Sequence, residues 1–330
     1  MRALMLHKIG RPEDLKLEEI SSPGPGEGEV LVDMRVAAVN FPDLLTIEGK
    51  YQVRPDLPFI PGKEGAGVVS AVGPDVTRIK PGDRVMIQVE YGTFAEQAVA
   101  PEHECYLVPE NIPFDQAASI GIAFQTSYLA LMDRAQIKAG ETVLVTAASG
   151  SVGIAAIQLA KEHGCTVIAG LTTPSKAPVA IENGADHIID LSVKDPKVSI
   201  RDQIYSLTDG MGVDVVIEMV GGDVFHGSIR SLKFRGRLVV VGFTGGSIAE
   251  MKTNYVLLKN ISVIGVDRGQ YRDKEVDWMQ NAQKEIFEMC SDGKIGMPVQ
   301  ASFDMEHIVE AFDLIRGRRI QGKVVLEISQ

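Results

Sequence analysis

Cysteine and long apolar runs are both scarce in this chain of 330 residues. Its three cysteines, Cys105, Cys165 and Cys290, are far apart. An odd, scattered set excludes a Cys-x-x-Cys metal framework and is typical of a reducing compartment. No apolar run approaches the ~18 residues of a membrane span, and the charged first 20 residues do not resemble a signal peptide. We therefore expect a cytoplasmic protein with no membrane partner.

Basic residues are also fewer than acidic residues. The chain has 33 Lys and Arg against 44 Asp and Glu, which gives a net charge of −11. A nucleic-acid binder normally presents a basic face, so we expect no nucleic-acid partner. Hydrophobic residues make up 45% and charged residues 23%, which is ordinary for a globular protein. At roughly 150 residues per domain, the length predicts two domains.

The first 120 or so residues predict a β-rich domain. Residues 28–40 alternate apolar and polar side chains, as a half-buried strand does. Residues 64–73 and 82–89 have a similar pattern, and turn signals rich in Gly and Pro separate these segments. Residues 115–133 then carry apolar positions at helical spacing.

From Glu141 onward, short apolar runs alternate with segments of helix length. The runs are 142–146, 166–170, 187–191, 213–219, 236–243 and 262–266. Nearly continuous apolar strands are typical of parallel sheets that are covered on both faces. The pattern predicts an α/β protein whose second domain is a doubly wound parallel sheet. We place this domain at 124–267, and residues 1–123 with 268–330 in the first domain. Helices at 277–294 and 306–318 and a last strand at 322–328 complete the chain.

One loop predicts dinucleotide binding. A strand runs into a turn of small residues and a helix opens at once, which is a G-x-G-x-x-G pattern with alanine in the first position. The turn consists of Ala148, Ser149, Gly150, Ser151, Val152 and Gly153. Gly150 would let a pyrophosphate approach closely, Gly153 would pack the helix on the strand, and the helix N-terminus would attract the phosphates. The alternative is a turn of small residues that only packs a helix on a sheet.

The end of the next strand favours NADPH over NADH. NAD sites usually place an acidic residue there to bind the ribose 2′-hydroxyl. Here the acid is absent, and a 2′-phosphate would meet hydroxyls and one lysine. The predicted residues are Gly170, Thr172, Thr173, Ser175 and Lys176. Lys176 is alternatively an ordinary solvated lysine at a helix start.

The order of motifs resembles a known family. Residues 39–51, 58–73 and 80–85 precede the loop at 147–161. This arrangement is similar to the medium-chain dehydrogenase/reductase superfamily, specifically its zinc-free NADPH:quinone oxidoreductase family. The resemblance implies a GroES-like β-rich catalytic domain, a Rossmann cofactor domain and a homodimer. The apolar strand at 262–266 would also be an exposed edge in a monomer, which favours pairing with a second copy.

The sequence departs from the zinc-dependent branch of that superfamily. Asn40 stands where those enzymes have a cysteine ligand, and Lys63 stands where they have a histidine ligand. Neither side chain is a usable zinc ligand. The four-cysteine structural loop is also absent, so we predict no metal site.

The resemblance also implies site residues. Asn40 would donate a hydrogen bond to a carbonyl or to the nicotinamide, and Tyr51 would donate to or stack on a flat substrate. Further contacts with the cofactor are implied for Thr126, Val220, Gly242, Phe243, Arg268 and Lys323, the last at the phosphate end. Structural roles remain open for Asn40 as a turn cap, Tyr51 under a loop, Thr126 bonded to its own helix, and Arg268 as a solvated arginine. Some quinone reductases have a tyrosine where this chain has Leu45, which leaves their quinone preference in doubt here.

Three functions remain open. The first is an NADPH-dependent quinone reductase, in which hydride transfer leaves an oxyanion that the protein must stabilise. The second is a reductase of activated C=C bonds in enones, enals or enoyl thioesters. The third is a non-catalytic NADPH-binding protein, because a fold does not prove a function. Each of the three implies a small-molecule ligand.

Overall fold

A computed structural model describes residues 1–329, and the chain divides into two compact units. Unit 1 comprises Met1–Ile122 together with the chain from Glu275 onward, and unit 2 comprises Ala123–Lys274. The first boundary lies one residue before the predicted one, and the second lies seven residues after it. Unit 1 thus contains both the beginning and the end of the described chain.

Unit 1 is built on a mostly antiparallel sheet, in which its last two strands pair in parallel. Its strands are β1 (Arg2–Met5), β2 (Lys16–Glu19), β3 (Glu29–Val39), β4 (Glu64–Val72), β5 (Arg84–Gln88), β6 (Gln97–Pro101), β7 (Cys105–Leu107), β14 (Val299–Asp304) and β15 (Lys323–Glu327). The main sheet has the order β14-β15-β3-β4-β5-β7, and β6 also pairs with β3. The helices are α1 (Phe41–Ile47), α2 (Phe114–Ser119), α10 (Val276–Ser291) and α11 (Ile308–Arg316). Phe94 and Phe312 are fully buried in the core and meet edge to face, with ring centroids 6.3 Å apart.

Unit 2 is a six-stranded parallel sheet with helices along the chain between its strands. The strands are β8 (Thr142–Val145), β9 (Thr166–Leu171), β10 (His187–Asp190), β11 (Val213–Glu218), β12 (Leu232–Val240) and β13 (Ser262–Gly265), in the order β10-β9-β8-β11-β12-β13. The helices are α3 (Ile122–Tyr128), α4 (Ser151–Glu162), α5 (Ala177–Glu182), α6 (Pro196–Leu207), α7 (Gly222–Ser231), α8 (Asn254–Lys259) and α9 (Arg268–Lys274). This strand order is the doubly wound Rossmann order, in which ligands bind at the carboxyl ends of the strands.

The helical segment predicted at 115–133 is interrupted. α2 ends at Ser119, α3 begins at Ile122, and a π-helical turn continues to Ala135. Gly121 lies at the break, where a Cβ atom would come within 2.6 Å of the Glu64 carboxylate and the Gln88 amide. The close approach of buried polar groups therefore explains why a glycine stands at the break.

No helix within residues 1–329 is both long enough and apolar enough to cross a membrane.

Candidate functional site

The loop that follows β8 has the geometry of a phosphate-binding turn. The Gly150 N–H donates to the Ala147 carbonyl at 3.1 Å, and the Ala148 N–H donates to the Gly170 carbonyl at 3.2 Å. These bonds tie the loop to itself and to the end of β9. Gly150 precedes α4, whose first N–H groups lack partners within the helix, as at every helix start. The turn therefore presents free donors and a positive helix end to an anion.

The two glycines of this loop have different surroundings. A Cβ atom on Gly150 would meet only the Ala147 carbonyl oxygen at 3.5 Å, which is an ordinary contact. A Cβ atom on Gly153 would lie 2.5 Å from that oxygen and 2.7 Å from the Ala148 Cα. Gly150 thus leaves open space where a pyrophosphate is expected, whereas Gly153 is required for contact between helix and strand. Ala148 itself is fully buried, and Ser149, Ser151 and Val152 complete the turn.

The end of β9 is open and free of acidic side chains as far as Lys176. Thr172, Thr173 and Ser175 are exposed, and Lys176 ends a short 3₁₀ turn. Burial lowers the pKa of the Lys176 ammonium below its usual value. A bound phosphate would offset this desolvation, because opposite charge favours the ionised form. The surroundings of these side chains fit a 2′-phosphate.

The loops after β11 and β12 are hydrogen-bonded to each other. The Thr244 N–H donates to the Met219 carbonyl at 2.8 Å, and the Gly245 N–H donates to the Val220 carbonyl at 2.9 Å. This places Val220, Gly242 and the half-exposed Phe243 at the carboxyl edge of the sheet, where the sequence predicted them. Their contact with a nicotinamide stays a prediction.

A buried carboxylate that the sequence reasoning missed supports this edge. Glu218 is 1% exposed and accepts hydrogen bonds from the N–H groups of Val220 and Gly221 at 2.9 and 3.0 Å. The Thr146 hydroxyl donates to the same oxygen at 3.3 Å. Burial raises the pKa of Glu218, while these donors oppose that rise. Glu218 thus fixes the chain between β11 and α7.

Thr126 and Arg268 also lie in unit 2. Thr126 is on α3, and Arg268 begins α9 and donates from Nη1 to the Gln125 side chain at 3.4 Å. Arg268 is therefore bonded to the direct neighbour of Thr126. This hydrogen bond makes it a partly buried structural contact, and a role at the cofactor stays a prediction.

Unit 1 contains a buried cluster of charged and polar groups, which we call the polar cluster: Asn40, Asp43, Lys63, Glu64 and Lys323. Each of these residues is at most 8% exposed. They come from four elements or their ends: Asn40 follows β3, Asp43 is on α1, Lys63 directly precedes β4, Glu64 begins β4, and Lys323 begins β15. The feature of the sequence that could have indicated this cluster is a charged residue at or directly before the start of a buried strand.

The ion pair of Lys323 and Glu64 lies within the polar cluster. Lys323 Nζ lies 2.6 Å from Glu64 Oε1 and donates at 2.6 Å to Asn40 Oδ1. Asn40 Nδ2 in turn donates to Glu64 Oε1 at 3.0 Å and to the Ala38 carbonyl at 3.3 Å. Both amide hydrogens of Asn40 therefore already have acceptors. This differs from the expectation that Asn40 donates to a substrate, a role that stays untested.

Lys323, which the sequence analysis expected to contact the cofactor at its phosphate end, belongs to the polar cluster of unit 1. Its side chain is 2% exposed, and two of its three hydrogens are directed to Glu64 and Asn40. A buried ammonium pairs with a buried carboxylate because neither charge is solvated. Its contact with a cofactor phosphate stays a prediction that this burial argues against.

Asp43 is fully buried and has a perturbed acidity. Its Oδ2 accepts the Asn40 N–H at 2.8 Å, whereas Oδ1 has no hydrogen-bond partner within residues 1–329. Burial raises the pKa of Asp43 to about 7, although the nearby Lys63 opposes the rise. Asp43 therefore holds the turn at Asn40 in place.

The polar cluster does not fit a zinc ion. The Lys63 ammonium has no lone pair to donate, and Asn40 is bonded to Glu64 and Lys323. Within the described chain, no three His, Cys, Asp or Glu side chains are grouped so that they would hold a metal. The donor chemistry therefore offers no zinc site here.

We expect G153A to destabilise the protein by about 1–3 kcal/mol or more, because the added methyl group meets backbone atoms that cannot rotate away. The matched variant G150A adds the same group in open space and should cost less than about 1 kcal/mol. Urea denaturation of both variants measures the difference. Equal stabilities would contradict the different packing of the two glycines.

The raised pKa of Asp43 predicts a pH-dependent effect of D43N. Between about pH 4 and pH 7 the unfolded chain ionises at Asp43 while the folded chain keeps the proton, so this group makes stability fall as pH rises. The asparagine variant lacks this loss. Its free energy of unfolding relative to wild type should therefore rise by up to about 1.4 kcal/mol per pH unit in that window. Denaturation of both proteins at pH 5, 6, 7 and 8 tests this, and a difference independent of pH would refute it.

Two family models match the chain. The model described as "Alcohol dehydrogenase GroES-like domain" matches residues 26–110, and the one described as "Zinc-binding dehydrogenase" matches residues 151–284. The first match lies in unit 1, and most of the second lies in unit 2. Together they agree with a GroES-like domain and a Rossmann domain in one chain.

Known proteins are similar to the chain over almost its whole length. Quinone oxidoreductase-like protein 2 of Mus musculus is 38% identical, with 99% of this chain and 92% of the relative covered. Human quinone oxidoreductase is 33% identical, with 99% and 97% covered. The structure of Escherichia coli quinone oxidoreductase complexed with NADPH has a TM-score of 0.89 and is 29% identical, with 99% and 100% covered. The chain therefore belongs to the medium-chain dehydrogenase/reductase superfamily, within its zinc-free quinone oxidoreductase-like family.

Proposed function

We propose that the protein is a zinc-independent, NADPH-dependent oxidoreductase that transfers hydride to a quinone. The observation that carries the proposal is the loop at residues 148–153. It has open space at Gly150, a tightly packed Gly153 and a helix N-terminus directed at the same turn. Relatives named quinone oxidoreductase, one of them solved with NADPH, support the same activity.

The preference for NADPH rests on the end of β9. An acidic side chain would repel a 2′-phosphate, and the segment from Gly170 to Lys176 contains none. The lowered pKa of Lys176 indicates a partly desolvated ammonium that a phosphate would stabilise. Bound NADPH would supply the hydride. The protein would orient the dinucleotide through the loop and Lys176, and Asn40 and Tyr51 remain proposed substrate contacts.

A second function is reduction of activated C=C bonds. Leu45, half-buried on α1, gives this helix an apolar side chain where some quinone reductases present a phenol. An apolar side chain there suits an enone or enoyl thioester as well as a quinone.

Absorbance at 340 nm with quinones and with activated alkenes tests the proposal. We expect NADPH oxidation with quinones and at least about 10-fold weaker binding of NADH, as loss of a charge-assisted contact implies. K176A should weaken NADPH binding about 10-fold and leave NADH binding unchanged. K138A is the matched control, because exposed Lys138 precedes β8 and so lies toward the opposite edge of the sheet.

Turnover of alkenes with sluggish quinone reduction would favour the second function. Tight NADPH binding without turnover of either substrate class would indicate a non-catalytic NADPH-binding protein. G150A, in which a methyl group occupies the expected pyrophosphate position, should bind NADPH weakly while remaining folded. A preference of the wild type for NADH would contradict the role of the β9 end.

We also propose that the protein is a homodimer that pairs through β13. This strand is the last of its sheet, so its outer edge has no partner strand within residues 1–329. Apolar side chains are exposed nearby: Ile248, Leu257 and Leu258 are each 75% exposed. Met251, Val256, Leu257 and Val263 line a groove there. A strand edge beside an apolar surface is an aggregation risk in a monomer, and a two-fold axis would cover both.

Light scattering on the purified protein tests the dimer. We expect twice the chain mass of 35.7 kDa for the wild type. L257E places a charge in the groove and should yield the monomer. L107E changes another exposed leucine, in unit 1, and should leave the dimer intact. A wild-type protein that elutes with the mass of one chain would refute the proposal.

A further inference from the structure

Lys63 is a buried cation that the activity proposed above does not use. Its side chain is 5% exposed, and its Nζ donates to the Glu90 carbonyl at 2.8 Å and to Glu90 Oε2 at 3.0 Å. The Val89 N–H donates to the Lys63 carbonyl at 2.8 Å, which continues the pairing of β4 with β5. Glu90 is therefore placed beside Lys63 by the sheet itself. An ammonium with such partners is fixed in position, since leaving them would leave a buried charge unpaired.

The fixed ammonium lies over an aromatic ring. Lys63 Nζ is 4.2 Å from the centroid of the Tyr51 ring, which is within the range of a cation–π interaction. Tyr51 is half-buried and lies four residues after the end of α1. Within the described chain, residues 52–58 make no backbone–backbone hydrogen bond. A segment with so few backbone bonds opens at low cost, so side-chain contacts decide where Tyr51 lies.

We propose that Lys63 is a positioning residue for Tyr51, holding one face of its ring so that the phenol hydroxyl is presented to the carbonyl oxygen of a flat acceptor such as a quinone. This inference rests on the proposed function and names a determinant of its acceptor specificity. Lys63 acts through Tyr51, because its ammonium is buried and donates two of its three hydrogens to Glu90.

The charge of Lys63 also strengthens the tyrosine as a donor. When a phenol donates to a carbonyl, its oxygen gains partial negative charge, and a nearby cation favours that change. A ring held by a cation therefore differs from a ring held by an apolar side chain of equal size. This difference separates positioning by Lys63 from simple packing.

Kinetics of four variants test the proposal: K63M, K63R, Y51F and the double variant K63M/Y51F. Methionine keeps the length of the side chain and removes its charge. K63M should raise KM for the quinone and lower kcat/KM by about 5- to 30-fold, the range of a desolvated cation–π contact. The dissociation constant of NADPH should stay within about two-fold of wild type. K63R, which keeps the charge, should restore most of the loss.

The double variant decides whether Lys63 acts through Tyr51. In the Y51F background, K63M should cost much less than it does in the wild type, because the hydroxyl that Lys63 supports is absent. Effects that multiply independently would overturn the proposal. E90Q weakens the anchor of the ammonium and keeps its charge, so it should show a smaller change in the same direction, and it replaces K63M if that variant does not fold.

A measurement without substrate separates this inference from the proposed function. Protein labelled with 3-fluorotyrosine gives one ¹⁹F resonance per tyrosine, and Y51F identifies the signal of Tyr51. In K63M that resonance should shift and sharpen, because a released ring moves more freely. In K63R it should stay near its wild-type position. An unchanged resonance in K63M would overturn positioning of the ring. Absence of quinone turnover in the wild type would overturn the proposed function and the presentation to a quinone, while the fluorine signal still decides the contact between Lys63 and Tyr51.

Discussion

The buried ion pair of Glu64 and Lys323 supports the rest of the polar cluster. Two charges at 2.6 Å compensate each other where water is excluded, and both are also hydrogen-bonded to Asn40. The other oxygen of Glu64 accepts the Ile122 N–H, the first of α3, at 2.7 Å. One carboxylate thus connects the end of β3, the start of β15 and the start of a helix. Removing one partner of such a pair commonly costs about 3–5 kcal/mol, because the other charge is left alone.

Burial and the pairing of charges in the polar cluster explain why the pKa of one of its acids is raised. Lys323 is paired with Glu64, and Lys63 is paired with the partly exposed Glu90. Asp43 is the carboxyl group of the cluster that neither lysine pairs with. With full burial and one oxygen that lacks a partner, its pKa rises to about 7. The polar cluster therefore contains two ion pairs and one carboxyl group with a raised pKa.

Much of the fold was predictable because its signals are local. Six apolar runs became the six strands of one parallel sheet, and the turn at 148–153 leads from β8 into α4 as predicted. The absence of an acidic residue at the end of β9 could likewise be read directly from the sequence. These features depend on a few consecutive residues, such as Gly150 and Gly153, whose surroundings follow from the strand before them and the helix after them.

The partners within the polar cluster were not predictable. Lys323 and Glu64 are 259 positions apart, and nothing in the sequence indicates that β15 begins beside β4. For the same reason Asn40 was expected to offer its amide to a ligand, although both of its hydrogens are bonded inside the protein. The residue types of a motif and their spacing indicate which chemical groups the protein has. The tertiary fold decides which of these groups are bonded inside the protein and which can contact a ligand.

Gly121 shows how far the constraint of the ion pair extends along the chain. Its Cα faces the ends of Glu64 and Gln88, and any side chain would meet both at 2.6 Å. The Glu64 carboxylate has nowhere to move, because its two oxygens are held by Asn40, Lys323 and Ile122. A side chain at position 121 would therefore displace the carboxylate from at least one of its partners. The environment of the ion pair thus includes an uncharged residue that contributes no side chain of its own to the cluster.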